Sequence, residues 1–195
     1  MNWDSLIDGH REVVDYIREQ MAEAVDAVSE QLIKALVAGN KILICGNGGS
    51  ACDAQHMAGE LVNRFLIAES RPYAAIALTA DAAVMTSIGN DFGFDQAYQK
   101  QVEALGRTGD VLIGISTSGN SPNVVKAVEA GKLRGLTTIG FLGGDGGQMA
   151  AMVDHALTIG CTKTVPRIQE GHLVILHAIC EAVEEALESR RLDYE

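Results

Sequence analysis

The chain has 195 residues, 47% hydrophobic and 21% charged, enough for one domain with a substantial core. Its 15 basic and 26 acidic residues give a formal net charge of −11 with no basic stretch, which argues against nucleic acid or an anionic membrane as a partner held by charge. No apolar run reaches the roughly 20 residues that cross a bilayer, and the charged start MNWDSLIDGHREVVDYIREQ has no signal-peptide core, so a cytoplasmic setting is expected.

Residues 3–38 carry helical periodicity: Leu6, Val13, Ile17, Met21, Val25, Val28, Leu32 and Leu36 recur three, four or seven apart, and Gly39-Asn40 ends the segment. Five short apolar runs follow, at 41–45, 74–78, 111–115, 137–142 and 155–159. Helical patterns lie at 50–66, 81–88, 94–105, 122–134 and 146–153, and a last helix runs over about 167–189. Strands rich in Ile, Leu and Val that alternate with helices predict an α/β fold, a parallel sheet covered on both faces. One unit is expected over 1–195: a helical segment, 1–38, and then a three-layer sandwich with a five-stranded parallel sheet, 39–195. In such sheets ligands sit beyond the carboxyl ends of the strands, where the strand order reverses.

Two loops fall on that edge. The first, Cys45-Gly46-Asn47-Gly48-Gly49-Ser50-Ala51, follows a strand and opens a helix near Ser50. It matches a dinucleotide fingerprint only loosely, because no acidic residue ends a following strand at the required distance, and it reads better as a loop for a small ligand. The second, Ser116-Thr117-Ser118-Gly119-Asn120-Ser121, leads into Pro122, with Ser121 as the N-cap and Pro at the first helical position. Free backbone N–H groups, side-chain hydroxyls and the positive end of a helix dipole meet there, as a phosphate requires. The loop has no Lys or Arg, so the anion it suits is compact and held by neutral donors.

The helix after the first loop carries His56 and Glu60, four apart and so on one face, with Asp53 a turn earlier. An imidazole and a carboxylate so placed can bind one divalent metal or act on one substrate. The last helix carries Gln169, Glu170, His172 and His177, the last amid apolar neighbours, where a histidine more often belongs to the core. Asn90-Asp91 reads as a turn after a short helix, able either to close an Asx-turn or to bond sugar hydroxyls. Gly143-Gly144-Asp145-Gly146-Gly147 reads as a turn leading into a helix, or else as a third loop at the ligand edge. Cys45, Cys52, Cys161 and Cys180 include no C-x-x-C pair. Cys45 and Cys180 are expected to pack as small hydrophobes, and Cys52 sits at a loop–helix junction where a thiol can acidify.

Together these pieces resemble the sugar isomerase (SIS) domain family and, within it, the phosphoheptose isomerases. The resemblance is carried by CGNGGSACDAQHMAGELVNRF (45–65), IGNDFGF (88–94), LIGISTSGNSPNVVKAV (112–128), LGGDGGQMA (142–150) and PRIQEGHLVILH (166–177), which cover nearly the whole chain in order. It implies a flavodoxin-like sheet and an aldose–ketose isomerase that converts sedoheptulose 7-phosphate to D-glycero-D-manno-heptose 7-phosphate through an enediol, in heptose biosynthesis. Ser116, Thr117, Ser118 and Ser121 match the phosphate-holding residues, Asn47, Gly48, Gly49 and Ser50 the first substrate loop, and Asn90, Asp91, Glu60 and Gln169 further substrate contacts. Glu60 and His177 match the acid–base pair, and His56, Glu60, Gln169 and His177 a zinc-binding set, one ion per subunit. The resemblance also implies a homotetramer with active sites at subunit interfaces.

Gln169 and His177 are eight apart, about 12 Å along a helix, so one zinc takes both from one helix only with both side chains stretched toward each other; different subunits, or an unwound first turn around Gln169, fit better. Pro166 stands where some members place an acidic residue, and Gly171, costly inside a helix, marks a close backbone approach. The rival readings are a non-catalytic SIS module, such as those that bind the replication initiator DnaA, an isomerase of a phosphosugar of five or six carbons, and a metal-independent isomerase whose bound zinc is incidental. The first lacks the acid–base positions as a group, whereas His56, Glu60 and His177 are all present here.

Overall fold

The computed structural model describes the backbone of residues 1–192 and the side chains of 1–189, so the last three residues of the unit expected over 1–195 lie outside the described residues. The N-terminal segment is two helices, α1 (Trp3–Tyr16) and α2 (Ala22–Val37), joined by a wide π-helical turn over Ile17–Met21. Val13, Ile17, Met21 and Val25 advance in steps of four, and each step would rotate an apolar stripe by about 40° on a helix of 3.6 residues per turn. The wide turn takes up that drift, and all four side chains stay buried.

The sheet has five parallel strands, β1 (Ile42–Gly46), β2 (Ala75–Ala77), β3 (Val111–Ser116), β4 (Thr137–Gly143) and β5 (His155–Ile159), in the order β2-β1-β3-β4-β5. This is the flavodoxin-like order, and its reversal lies between β1 and β3, the strands that feed the two ligand loops. Register sets Gly46 opposite Ile115, so both loops leave the sheet side by side.

Alternate strand residues face opposite cores. Ile42, Ile44, Ile113, Ile115, Ile139 and Phe141 pack on α1, α2, α3 (Gly49–Val62) and α7 (Val165–Leu192). Leu43, Cys45, Leu112 and Leu142 pack on α5 (Ala97–Leu105) and α6 (Pro122–Leu133). Both cores are apolar, and burial pushes the Cys45 and Cys180 thiols up to about 12, so they pack as hydrophobes as expected. Cys52 is exposed. Among the described residues no helix is long and apolar enough to cross a membrane.

Three expected elements differ. The helix read over 50–66 stops at Val62, because the N–H groups of Phe65, Leu66 and Ile67 bond to the Glu184 carboxylate instead of to a preceding turn. The helix read over 146–153 is a single 3₁₀ turn, Gln148–Ala151, whose first N–H groups bond to Asn120 Oδ1 and Gly119 O across the sheet edge. Asn90-Asp91 is no turn after a helix: α4 (Ala82–Phe92), capped by Asp81, includes both in its last turn, and Gly93 at φ +89° ends it.

α1 is tied to the start of α7. Glu170 Oε2 accepts from Arg167 Nη1 at 2.6 Å and faces His10 Nδ1 at 3.1 Å. A Cβ at Gly171 would stand 2.8 Å from Val13 Cγ1 and 2.9 Å from Ile159 Cδ1, so the close approach expected there is present.

Candidate active site

The hydroxyl loop curls over the end of β3. Ser116 is buried, and its Oγ lies 2.9 Å from Ser121 Oγ and 3.5 Å from Ser118 Oγ. Ser121 holds the N-cap position, but its hydroxyl does not cap α6; it turns to Ser116. The cluster therefore offers several hydroxyls at a helix start whose backbone donors are not consumed by the cap residue's own side chain. Thr117 is half-buried beside them.

The Gly143–Gly147 loop, read as a turn before a helix, is the buttress of this cluster. Cβ atoms at Gly119 and Gly147 would fall 1.9 Å from Gly146 O and 2.4 Å from Ser118 O, so the two loops meet backbone to backbone. Both glycines have positive φ, +62° and +54°.

The first loop turns at Gly48, φ +56°, and α3 starts at Gly49 with Ser50 buried beneath it. Asn47 is held from behind. Its Nδ2 donates to Asn123 Oδ1 at 2.8 Å, and its Oδ1 accepts from Asn123 Nδ2 at 2.8 Å and from Tyr98 Oη at 3.3 Å. Tyr98 Oη also donates to Gly46 O. Asn123 and Tyr98, both buried and both missed by sequence reasoning, thus lock the loop after β1 to the first turn of α6. Neither has a sequence signal, because their partners lie 76 and 51 or 52 residues away. Much of the Asn47 amide is spent on this clamp, leaving one Nδ2–H for a ligand.

His56, Glu60 and His177 come together in one chain. His56 Nε2 faces Glu60 Oε1 at 3.0 Å and His177 Nε2 at 3.3 Å, with the two rings edge to face at 5.0 Å. His177 is therefore drawn out of the apolar helix face into a polar trio, and the residue that belongs to the core is His172. His172 is fully buried, donates from Nε2 to Leu142 O at 2.9 Å and leaves Nδ1 without a partner; burial pushes its pKa down to about 4. Asp53 Oδ2, a turn before His56, is also buried without a partner, and burial raises this carboxyl, partly offset by the His56 charge.

Gln169 does not join the trio. It lies inside α7, whose helix begins at Val165, so the unwound turn is excluded. Its Nε2 would be 2.5 Å from a Cβ at Gly49, so Gln169 sits on the first loop where α3 begins, two turns of α3 before His56. Asn90 and Asp91 are exposed on α4 and bond to each other at 2.7 Å. Among the described residues no three His, Cys, Asp or Glu side chains are set around a point to hold a metal ion.

A parallel flavodoxin-like sheet with a cluster of hydroxyls at its switch point has the architecture of a SIS-domain protein, and the SIS domain model matches residues 7–143. The phosphoheptose isomerase of Geotalea daltonii is 48% identical over 187 residues, 96% of either chain. That of Nitratidesulfovibrio vulgaris is 50% identical over 169 residues, 87% of this chain and 80% of its own. The solved phosphoheptose isomerase GmhA of Neisseria gonorrhoeae superposes with a TM-score of 0.88 at 41% identity, covering 93% of this chain and 96% of the other. The Francisella tularensis enzyme gives 0.90 at 34% identity over the same shares. The chain belongs to the phosphoheptose isomerase family.

Proposed function

We propose that this chain is an isomerase that converts sedoheptulose 7-phosphate to D-glycero-D-manno-heptose 7-phosphate. The observation that carries the reading is the meeting of Glu60 and His177 beside His56, on the helix that the first loop opens. The cradle anchors the phosphate, the inert end of the sugar, and binding energy spent there orients the reacting end. Exchange between ketose and aldose removes a proton from the carbon beside the carbonyl and returns it to the neighbouring carbon. Glu60 carries that proton between C1 and C2. The His177 imidazole protonates the C2 carbonyl oxygen as the enediol forms and then takes the proton of the C1 hydroxyl as the new carbonyl forms at C1. Acid–base groups of this kind each contribute about 10²–10⁴-fold.

The donor set suits zinc, which favours imidazole and carboxylate. His56 Nε2 lies 3.3 Å from His177 Nε2 and 3.0 Å from Glu60 Oε1, so two imidazoles and a carboxylate are close enough to turn toward one ion. His56, Glu60 and His177 would hold the ion, with Gln169 of another subunit as the fourth ligand, in a cytoplasmic homotetramer. When bound, zinc would polarise the substrate oxygens.

Glu60→Gln and His177→Gln are expected to lose at least ~100-fold in kcat on sedoheptulose 7-phosphate while remaining folded. Retained turnover in either removes that residue from the scheme. Turnover of five- or six-carbon phosphosugars at a higher kcat/KM would replace the substrate assignment.

A further inference from the structure

α7 carries His177, Glu184 and Glu188 along one stripe, seven and four residues apart. After His177 the stripe turns to the irregular segment that follows α3. Glu184, 3% exposed, accepts three successive backbone N–H groups, from Phe65 at 2.8 Å, Leu66 at 2.6 Å and Ile67 at 2.8 Å. Burial pushes this carboxyl up, but the three N–H groups outweigh it and hold it below the usual carboxylate range, so it is ionised. Glu188 continues the grip four residues on, accepting from Arg71 N at 3.1 Å and Tyr73 Oη at 2.6 Å.

The first residue held this way, Phe65, lies over the His177 imidazole, with ring centroids 5.4 Å apart and planes inclined by 34°. Among the described residues the other ring against that imidazole is His56. His177 is thus seated between a ring fixed by α3 and a ring fixed only by the segment after α3. That segment has no regular hydrogen bonding of its own at Phe65, and the Glu184 carboxylate supplies it.

We propose that Glu184 is a positioning residue of the isomerase: by gathering the N–H groups of 65–67 it seats Phe65 on His177 and keeps the imidazole facing His56 and Glu60. This rests on the reading of His177 as an acid–base group. A carboxylate that only ties down a loop would affect stability and leave the imidazole where it is.

The test uses the full chain with two variants. Glu184→Gln keeps the shape but presents one acceptor oxygen and an NH₂ to three donors. Phe65→Leu removes the ring and leaves the carboxylate and its N–H groups intact. Proton NMR of the imidazole C–H resonances, with His177 identified by its loss in His177→Gln, reads the ring directly, because an aromatic ring at this distance displaces them. Both variants are expected to move the His177 resonance and to lower kcat about tenfold or more with KM within about twofold. The double variant is expected to be no worse than Glu184→Gln alone, since both act through one contact. A His177 resonance unmoved in Glu184→Gln, or wild-type kcat in Phe65→Leu, overturns the proposal. If Glu184→Gln does not fold, Phe65→Leu decides alone. If His177→Gln keeps its turnover, the acid–base reading fails, and the resonance still reports whether Glu184 seats the ring.

Discussion

Gly119→Ala tests whether the hydroxyl cradle depends on its glycine buttress. The new Cβ would lie 1.9 Å from Gly146 O and 2.4 Å from Gly146 C, so one loop must move by more than an ångström. The residue also sits at φ +62°, where a side chain costs about 1 kcal/mol or more. Separating the loops breaks the bonds from Met149 N to Gly119 O, at 3.1 Å, and from Gln148 N to Asn120 Oδ1, at 3.0 Å, each worth about 1 kcal/mol. The sum is roughly 3 kcal/mol, or about 6–12 °C in Tm for a chain of this size. The hydroxyls of Ser118 and Ser121 move with the loop. A hydrogen bond to a charged phosphate is worth about 1.5–3 kcal/mol, so losing one raises KM at least ~10-fold. Calorimetry and steady-state kinetics on the phosphosugar read both quantities. A variant with unchanged Tm and unchanged KM would refute the buttress.

Two further outcomes follow from buried polar groups. Asn123→Ala leaves the Asn47 amide without its reciprocal partner; about 1–3 kcal/mol of stability should be lost in urea, and KM should rise more than kcat falls as the two loops separate. A wild-type KM would show that the clamp does not order the ligand loops. His172 stays neutral in the fold, with its pKa pushed down to about 4 from the ordinary 6.5, so as pH falls through 6.5 the unfolded chain takes up a proton that the folded chain refuses. Stability is therefore lost between about pH 6.5 and pH 4, by roughly 2–3 kcal/mol at pH 4.5. Urea midpoints at pH 7.5 and 4.5 should show a correspondingly smaller acid loss for His172→Gln, which does not titrate; equal losses in the two proteins would refute the assignment.

The strands were legible because a parallel strand buried on both faces reads as an unbroken apolar run, as in Ile42 to Cys45 and Val111 to Ile115. Local motifs were legible too: His56 and Glu60 share a helix face, and Gly171 stands out as a glycine in a helix because two side chains press on it. What failed were positions where a distant polar group overrides local preference. Residues 63–66 continue the apolar pattern of α3, yet Glu184, 117 to 119 residues away, takes the N–H groups that would continue the helix. Glu184 itself reads as one more solvated acid on a long helix. Ser121 holds the N-cap position, but its hydroxyl bonds to Ser116 Oγ and caps no N–H of α6. The pairing of His56 with His177, 121 residues apart, came only through the family resemblance.

The alignment of α3 with α7 determines what one chain can do by itself. Gly49 meets Gln169, His56 meets His177, and Phe65 meets Glu184, so the two elements run parallel and keep step along their contact. Seven residues on α3 and eight on α7 separate the first two meetings, about 10–12 Å on either helix. Gln169 thereby packs against the start of α3, and the trio of His56, Glu60 and His177 lies two turns further along that helix. No rotamer of Gln169 spans that gap, since its side chain reaches about 4–5 Å from the backbone. Any role for Gln169 at the same ion or the same carbon as His177 must come from a second copy of the chain. The cradle, the clamp and the trio can be complete in one copy; the four-ligand set cannot. A metal site formed only on assembly would make zinc affinity depend on protein concentration. Zinc binding that is equally tight below and above the concentration at which copies associate would show that Gln169 is not a ligand.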